Sequence, residues 1–356
     1  MTEARTAGVV EIDLGALVAN WRLLRDRNRA GATGAVVKAN GYGLGAQAVV
    51  PALHAAGCRH FFVATLDEAL EIRPLIPEAM LVTLDGLAPG RAADYVACGI
   101  LPALGSLPEI DAWATAAPGA AALLHIDSGM ARLGLAADEL AAAPARLRGV
   151  ALRYVMTHLV SPELPADPLN ARQLERFALA AAAFPGVPRS IAASSGMFLG
   201  DAYLGDLARP GAALYGINPT PGHPNPMRQV VRLMARVLQV RTIDAGETVG
   251  YNAIWQASRP SRIATVGVGY ADGWRRAHSN RGVAFFDGKP VPLVGRVSMD
   301  LTTYDVTGCP EVVPGTWLEL IGPHVPPDTV AAETGTNGYE VLTSLGRRLA
   351  RVYRSA

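Results

Sequence analysis

Between residues 35 and 215 the chain repeats one pattern: a short apolar run of strand length, then in most cases a segment with helical apolar spacing. The runs fall near 35–37, 61–64, 80–84, 100–104, 121–126, 150–157, 190–193 and 212–215, with helical segments at 47–56, 67–73, 107–116, 139–147 and 171–184. Eight such runs over roughly 215 residues match a (β/α)8 barrel in size and count. A doubly wound sheet competes, but no GxGxxG turn follows the first run. A helix starting after Asp13, with Leu14, Leu17, Val18, Trp21 and Leu24 as its stripe, precedes the first barrel strand. The stretch 219–226 carries four prolines and reads as a linker. Beyond it, strand-like runs at 230–243, 262–269, 282–286, 291–298, 301–306 and 316–321 are separated by turn residues, and 338–353 reads as a closing helix. The predicted organisation is α/β: an N-terminal (β/α)8 TIM-type barrel over 1–226 and a C-terminal mostly-β domain over 227–356.

Of the 32 basic residues, 30 are arginine; the two lysines are Lys38 and Lys289. Arginine replaces lysine in solvated or ion-pairing roles but does not act as an amine nucleophile. Lys289 stands in Asp-Gly-Lys-Pro, a hairpin-turn sequence, and needs no further account. Lys38 ends the first apolar run and faces Ala-Asn-Gly-Tyr-Gly. It is the chemical candidate.

A barrel carries its reactive groups at the C-terminal ends of its strands. Arg132 follows the fifth run, His158 ends the sixth, Ser194 follows the seventh, and the segment from Arg209 to Gly216 occupies the eighth. Small residues after strands seven and eight are where barrels commonly hold a phosphate. A strand-end lysine and a phosphate cradle together suggest pyridoxal 5′-phosphate held as a Schiff base. His54 and His60 form no HxxxH or HExxH pattern, so no metal is expected. A net charge of +1 gives no footprint for nucleic acid, and no apolar stretch reaches membrane-spanning length. Without a visible secretory signal, the expected location is cytoplasmic.

The block VVKANGYGLG (36–45) resembles the cofactor-lysine motif of bacterial alanine racemases. The resemblance continues in order through HIDSGMARLG (125–134), THL (157–159), RPGAALYG (209–216), GY (250–251), GYADG (269–273), GRVSMD (295–300) and NGYE (337–340). It implies an isomerase that interconverts L- and D-alanine for peptidoglycan synthesis, as a head-to-tail homodimer with shared active sites. By the resemblance, Lys38 and Tyr251 are the two bases, Tyr251 reaching in from the partner subunit. Arg209 would face the pyridine nitrogen, and His158 would pack on the ring. Tyr42, Ser194, Gly211, Ala212 and Tyr339 would hold the phosphate. Arg132 and the backbone N–H of Met299 would take the substrate carboxylate, with His125 and Asp300 behind them.

Taken singly, several of these residues have plainer readings: His158 as a core histidine, Met299 as filler, Asp300 as a turn cap. The run of motifs in one order favours the functional ones. Alternatives on the same scaffold are a broad-specificity amino-acid racemase and a non-catalytic pyridoxal-phosphate carrier; carriers lack the β domain. The chain also departs from the family at one informative place. His125 stands where relatives often carry a carbamylated lysine that buttresses the carboxylate-binding arginine. An inorganic anion such as chloride, a neutral hydrogen bond from His125, or the carboxylate of Asp127 would each substitute, the anion being the favoured expectation.

Overall fold

The computed structural model describes residues 6–355, which form two compact units. One holds Leu17–Arg228. Its strands are 32–36 (interrupted at Gly34), His60–Val63, Met80–Thr83, Ile100–Leu104, Ala121–His125, Ala151–Met156, Arg189–Ser190 and Leu207–Ala208. The first seven pair in parallel, in chain order. The eighth pairs in parallel with Ala32–Thr33, and the Gly34 and Val36 N–H groups donate to the Ala208 and Pro210 carbonyls at 2.9 and 2.8 Å. On its other side, the Asp206 and Arg209 N–H groups donate to the Arg189 and Ala192 carbonyls, both at 2.8 Å. The ring therefore closes as a barrel. Val36, Phe62, Val82, Ala103, Leu123, Met156 and Leu207 form one buried cluster, each from a different strand. A barrel filled in this way is a packed core whose strand ends, not its interior, are open to chemistry.

The eighth strand differs from the sequence reading. It is Leu207–Ala208, whereas Ala212–Tyr215 coils into a 3-10 turn. Pro210 has no N–H to continue a ladder, and Gly216 ends the turn with φ 89°. The shift puts Arg209 at a strand's C-terminal end, like the other candidates. The helix expected over 139–147 is reduced to Ala143–Arg146, and an unpredicted helix, Ala92–Cys98, follows the third strand. Those at Leu66–Ile72, Leu107–Ala116 and Pro168–Ala181 start on the side-chain caps Thr65, Ser106 and Asp167.

The other unit holds the chain from Gln229 onward together with residues up to Ala16. Its sheet is built on the long strand Val231–Ile243, which pairs antiparallel with Gly8–Asp13, Trp317–Ile321 and Ser261–Val266. The division at 226 thus needs a correction: Gly8–Asp13 belongs to the β unit, because its backbone is paired there on both edges. Its second partner is Ala350–Arg354, in parallel. That strand also corrects the closing helix, which spans only Gly338–Thr343. A second helix, Pro327–Thr334, was not expected. Asp287 and Gly288 link Val283–Phe286 to Lys289–Pro292 with φ 47° and 73°, as a tight hairpin requires. Lys289 is exposed beside Glu311, as a surface turn lysine should be.

Candidate active site

Lys38 opens an unusual turn. From Ala39 through Gly43 five consecutive residues have positive φ, between 53° and 82°. Non-glycine residues avoid that region unless local bonds hold them there. Here the Gly41 and Gly43 N–H groups donate to Val37 and Ala39 carbonyls at 2.8 and 2.7 Å. Asn40 Oδ1 accepts from the Ala46 N–H at 2.8 Å, and Glu68 Oε1 accepts from the Ala39 N–H at 2.6 Å. The other Glu68 oxygen takes the Ala64 N–H at 2.8 Å. Glu68 therefore ties the residue after the lysine to the second strand's end. Sequence reasoning missed this role, although Thr65-x-x-Glu68 carries the letters of a capping box.

Around Lys38 the barrel mouth gathers cations. Arg209 is buried and donates to Ser190 Oγ and the Thr157 carbonyl, each at 2.6 Å. No carboxylate pairs with it among the described residues, and burial pushes its pKa down to about 10. It still keeps its proton near neutrality. His158 is held neutral, its pKa near 3, by burial first and then by Arg209, Arg132, His125 and Lys38. His125 is buried and pushed down to about 4 by desolvation and then Arg209, with Asp127 opposing and Arg132 adding. These five groups share one electrostatic neighbourhood.

A second cluster lies after strands seven and eight. Ser194 Oγ accepts the Gly211 and Ala213 N–H groups at 3.0 and 3.1 Å, leaving its own O–H to donate. The Ala212 N–H has no partner among the described residues. Tyr42 stacks on the buried Tyr215 with ring centroids 4.6 Å apart. A Cβ on Gly211 would stand 2.2 Å from Tyr42 Oη, so only glycine lets the phenol close over this turn. Hydroxyls and a free N–H meeting at the barrel mouth suit a phosphate.

The β unit carries the remaining candidates on its surface. Tyr251, Met299 and Tyr339 are exposed, Tyr251 most of all at 69%. Tyr251 starts a 3-10 turn after Gly250 at φ 76°. The Met299 N–H has no partner among the described residues, while the Met299 carbonyl accepts from the Ala271 N–H at 2.9 Å. A Cβ on Gly269 would lie 2.4–2.6 Å from Ser298, Met299 and Asp300 backbone atoms, so glycine at 269 lets the 298–300 loop pack close. Asp300 pairs at 2.6 Å with Arg348, which also grips the buried Asp272 through two bonds, at 2.8 and 2.9 Å. Arg348 carried no sequence signal, because its partners lie 48 and 76 residues away.

The Arg132 guanidinium makes no ion pair among the described residues, and Asp127, named from the sequence as one buttress, is committed elsewhere. Its carboxylate accepts the N–H groups of Gly129, Met130 and Ala131 at 2.8, 2.7 and 2.9 Å. Among the described residues no group of three or more His, Cys, Asp or Glu side chains could hold a metal ion, and no helix is long and apolar enough to cross a membrane.

The buried histidines set an acid limit. Unfolded, each titrates near 6.5; folded, His125 waits until about 4 and His158 until about 3. Between those values the unfolded chain takes up protons that the folded one refuses, so stability falls as pH drops through that window. The loss tops out at about 3 kcal/mol for His125. Urea unfolding at stepped pH should show the decline beginning below about 6.5. A His125→Asn variant should make the decline shallower, leaving the share due to His158; an unchanged slope would show that His125 is not held neutral.

Fold and site together define a barrel protein with a lysine at the end of its first strand and, after strands seven and eight, a cluster of hydroxyl and amide groups suited to an anion. The models for the N-terminal and C-terminal domains of alanine racemase match residues 12–219 and 230–353. The alanine racemase of Acidiphilium cryptum is 55% identical over 97% of this chain and 98% of its own, and that of Rhodospirillum rubrum 49% over 99% and 97%. The crystal structure of alanine racemase from Bartonella henselae, with covalently bound pyridoxal phosphate, superposes with a TM-score of 0.94 at 40% identity, covering 98% of this chain and 100% of that one. The chain belongs to the alanine racemase family.

Proposed function

We propose that this chain is a pyridoxal-phosphate-dependent isomerase interconverting L- and D-alanine, with Lys38 and Tyr251 as its two bases. Family membership carries the reaction class, and the single observation that supports the residue roles is the convergence at one barrel mouth. There Lys38 and the buried, carboxylate-free Arg209 both act on His158, and a hydroxyl-and-amide cradle follows strands seven and eight. When bound, the cofactor withdraws electrons from the substrate Cα and so acidifies its proton. Tyr42, Ser194, Gly211, Ala212 and Tyr339 would hold its phosphate, Lys38 its carbonyl carbon, and His158, neutral, would pack on its ring. Arg209 would face its ring nitrogen and, keeping its own proton, would leave that nitrogen largely unprotonated and the ring a weaker electron sink. Arg132 and the Met299 N–H of the partner subunit would bind the substrate carboxylate and so fix which bond lies between the bases.

Inversion at Cα needs a proton taken from one face and another delivered to the opposite face. One base cannot stand on both. Lys38 serves one face and Tyr251 the other, each restoring what its counterpart removed. The strong exposure of Tyr251, Met299 and Tyr339 supports a homodimer in which Tyr251 and Met299 complete the partner's site. The reading places the enzyme in the cytoplasm, supplying D-alanine for peptidoglycan. An assay of D/L interconversion over Ala, Ser, Lys and Arg tests it. Alanine should be the preferred substrate. Comparable turnover of all four would replace the reading with a broad-specificity racemase, and cofactor binding without turnover would replace it with a carrier.

A further inference from the structure

We propose that Gln173 is a positioning residue for the substrate carboxylate, acting on Arg132 through the loop that carries it; this rests on the reading of Arg132 given above. Gln173 lies on the helix Pro168–Ala181 and is fully buried. A buried carboxamide is costly unless its donors and acceptor are met, and an apolar residue would fill a helix–barrel contact at less cost. Its side-chain hydrogen bonds all leave its own helix. Oε1 accepts the Val160 N–H at 2.8 Å; Nε2 donates to the His158 carbonyl and to Ser128 Oγ, each at 3.1 Å. Ser128 Oγ in turn meets Thr157 Oγ1 at 2.8 Å, and the Thr157 carbonyl is the one that holds Arg209. One amide thus ties the loop after strand five to the end of strand six.

The loop 127–131 is consequently gripped from two sides. Asp127 gathers its N–H groups from the front, and Gln173 fixes Ser128 from behind. The next residue along is Arg132. An arginine that receives a carboxylate gains affinity if its base is ordered before the ligand arrives. In relatives a carbamylated lysine would act on the guanidinium directly; with His125 in that place, order comes through the backbone on which Arg132 stands. This route commits none of the arginine's charge to a protein carboxylate.

The test uses the cofactor-loaded enzyme at one fixed chloride concentration, with Ser128→Ala and Gln173→Met as variants and Arg132→Lys as reference. Propionate, which has alanine's carboxylate but no amine, serves as a competitive inhibitor. Losing the loop's tether should raise both the KM for alanine and the propionate Ki by about three- to tenfold, with kcat changed by less than about twofold. Ser128→Ala removes a single hydroxyl and keeps the test open if Gln173→Met does not fold. A rise in KM and Ki together, with kcat and cofactor content held, supports the inference. If Arg132→Lys raises the Ki but the tether variants leave it unmoved, or lower kcat alone, the role of Gln173 falls and the reading of Arg132 stands. If Arg132→Lys leaves the Ki unmoved, the carboxylate assignment falls, and this inference with it.

Discussion

Replacing Lys38 by alanine should abolish alanine racemisation, by more than about a thousandfold, because attachment of the cofactor and one of the two proton transfers are lost together. Lys38→Arg should fail to the same degree. A guanidinium keeps its proton and cannot form the covalent link, however well it reproduces the charge. Sodium borohydride, which fixes a lysine-bound cofactor irreversibly, gives the direct readout: mass addition to the wild-type chain and none to either variant. The fold should survive, since the turn is held by Glu68, Asn40 and backbone bonds rather than by the lysine side chain. A borohydride-stable adduct in either variant would move the assignment to another residue.

Tyr251→Phe should lower turnover by about a hundred- to ten-thousandfold while leaving cofactor attachment intact. The sharper expectation concerns mixtures. Lys38→Ala and Tyr251→Phe subunits, each inactive alone, should regain activity when exchanged into mixed dimers, because one of the two sites then holds both native bases. Native mass spectrometry identifies the mixed dimers, and racemisation is followed in the same sample. Mixed dimers that stay inactive would mean that each chain supplies both of its own bases.

Much of this was legible in the residues themselves. The helical spacing read at 67–73 and 107–116 falls on the helices Leu66–Ile72 and Leu107–Ala116, and with only two lysines among 32 basic residues Lys38 stands out on chemistry alone. The errors have local causes. Ala212–Tyr215 is apolar enough to pass for a strand, yet the strand lies three residues before Gly211, where its backbone finds Ala32–Thr33. Residues 338–353 have helical spacing throughout, but Ala350–Arg354 gains a parallel partner in Gly8–Asp13, and long-range pairing overrides local preference. Glu68, Gln173 and Arg348 escaped for a different reason. Each is a single polar residue whose meaning comes from a backbone group or carboxylate remote in sequence. No local pattern announces such a bond.

The placement of Gly8–Asp13 between Val231–Ile243 and Ala350–Arg354 has a consequence for biosynthesis. This sheet joins Gly8–Asp13 to Ala350–Arg354, a strand synthesised well after the whole barrel. Barrel pairings, by contrast, join mostly neighbours along the chain and are available much earlier. Ribosome-bound chains stalled near residue 300 should therefore hold a protease-resistant barrel and an unfinished sheet, since Ala350–Arg354 has not been made. Synthesis order alone makes this sheet close after the barrel, once Ala350–Arg354 has emerged to pair with Gly8–Asp13.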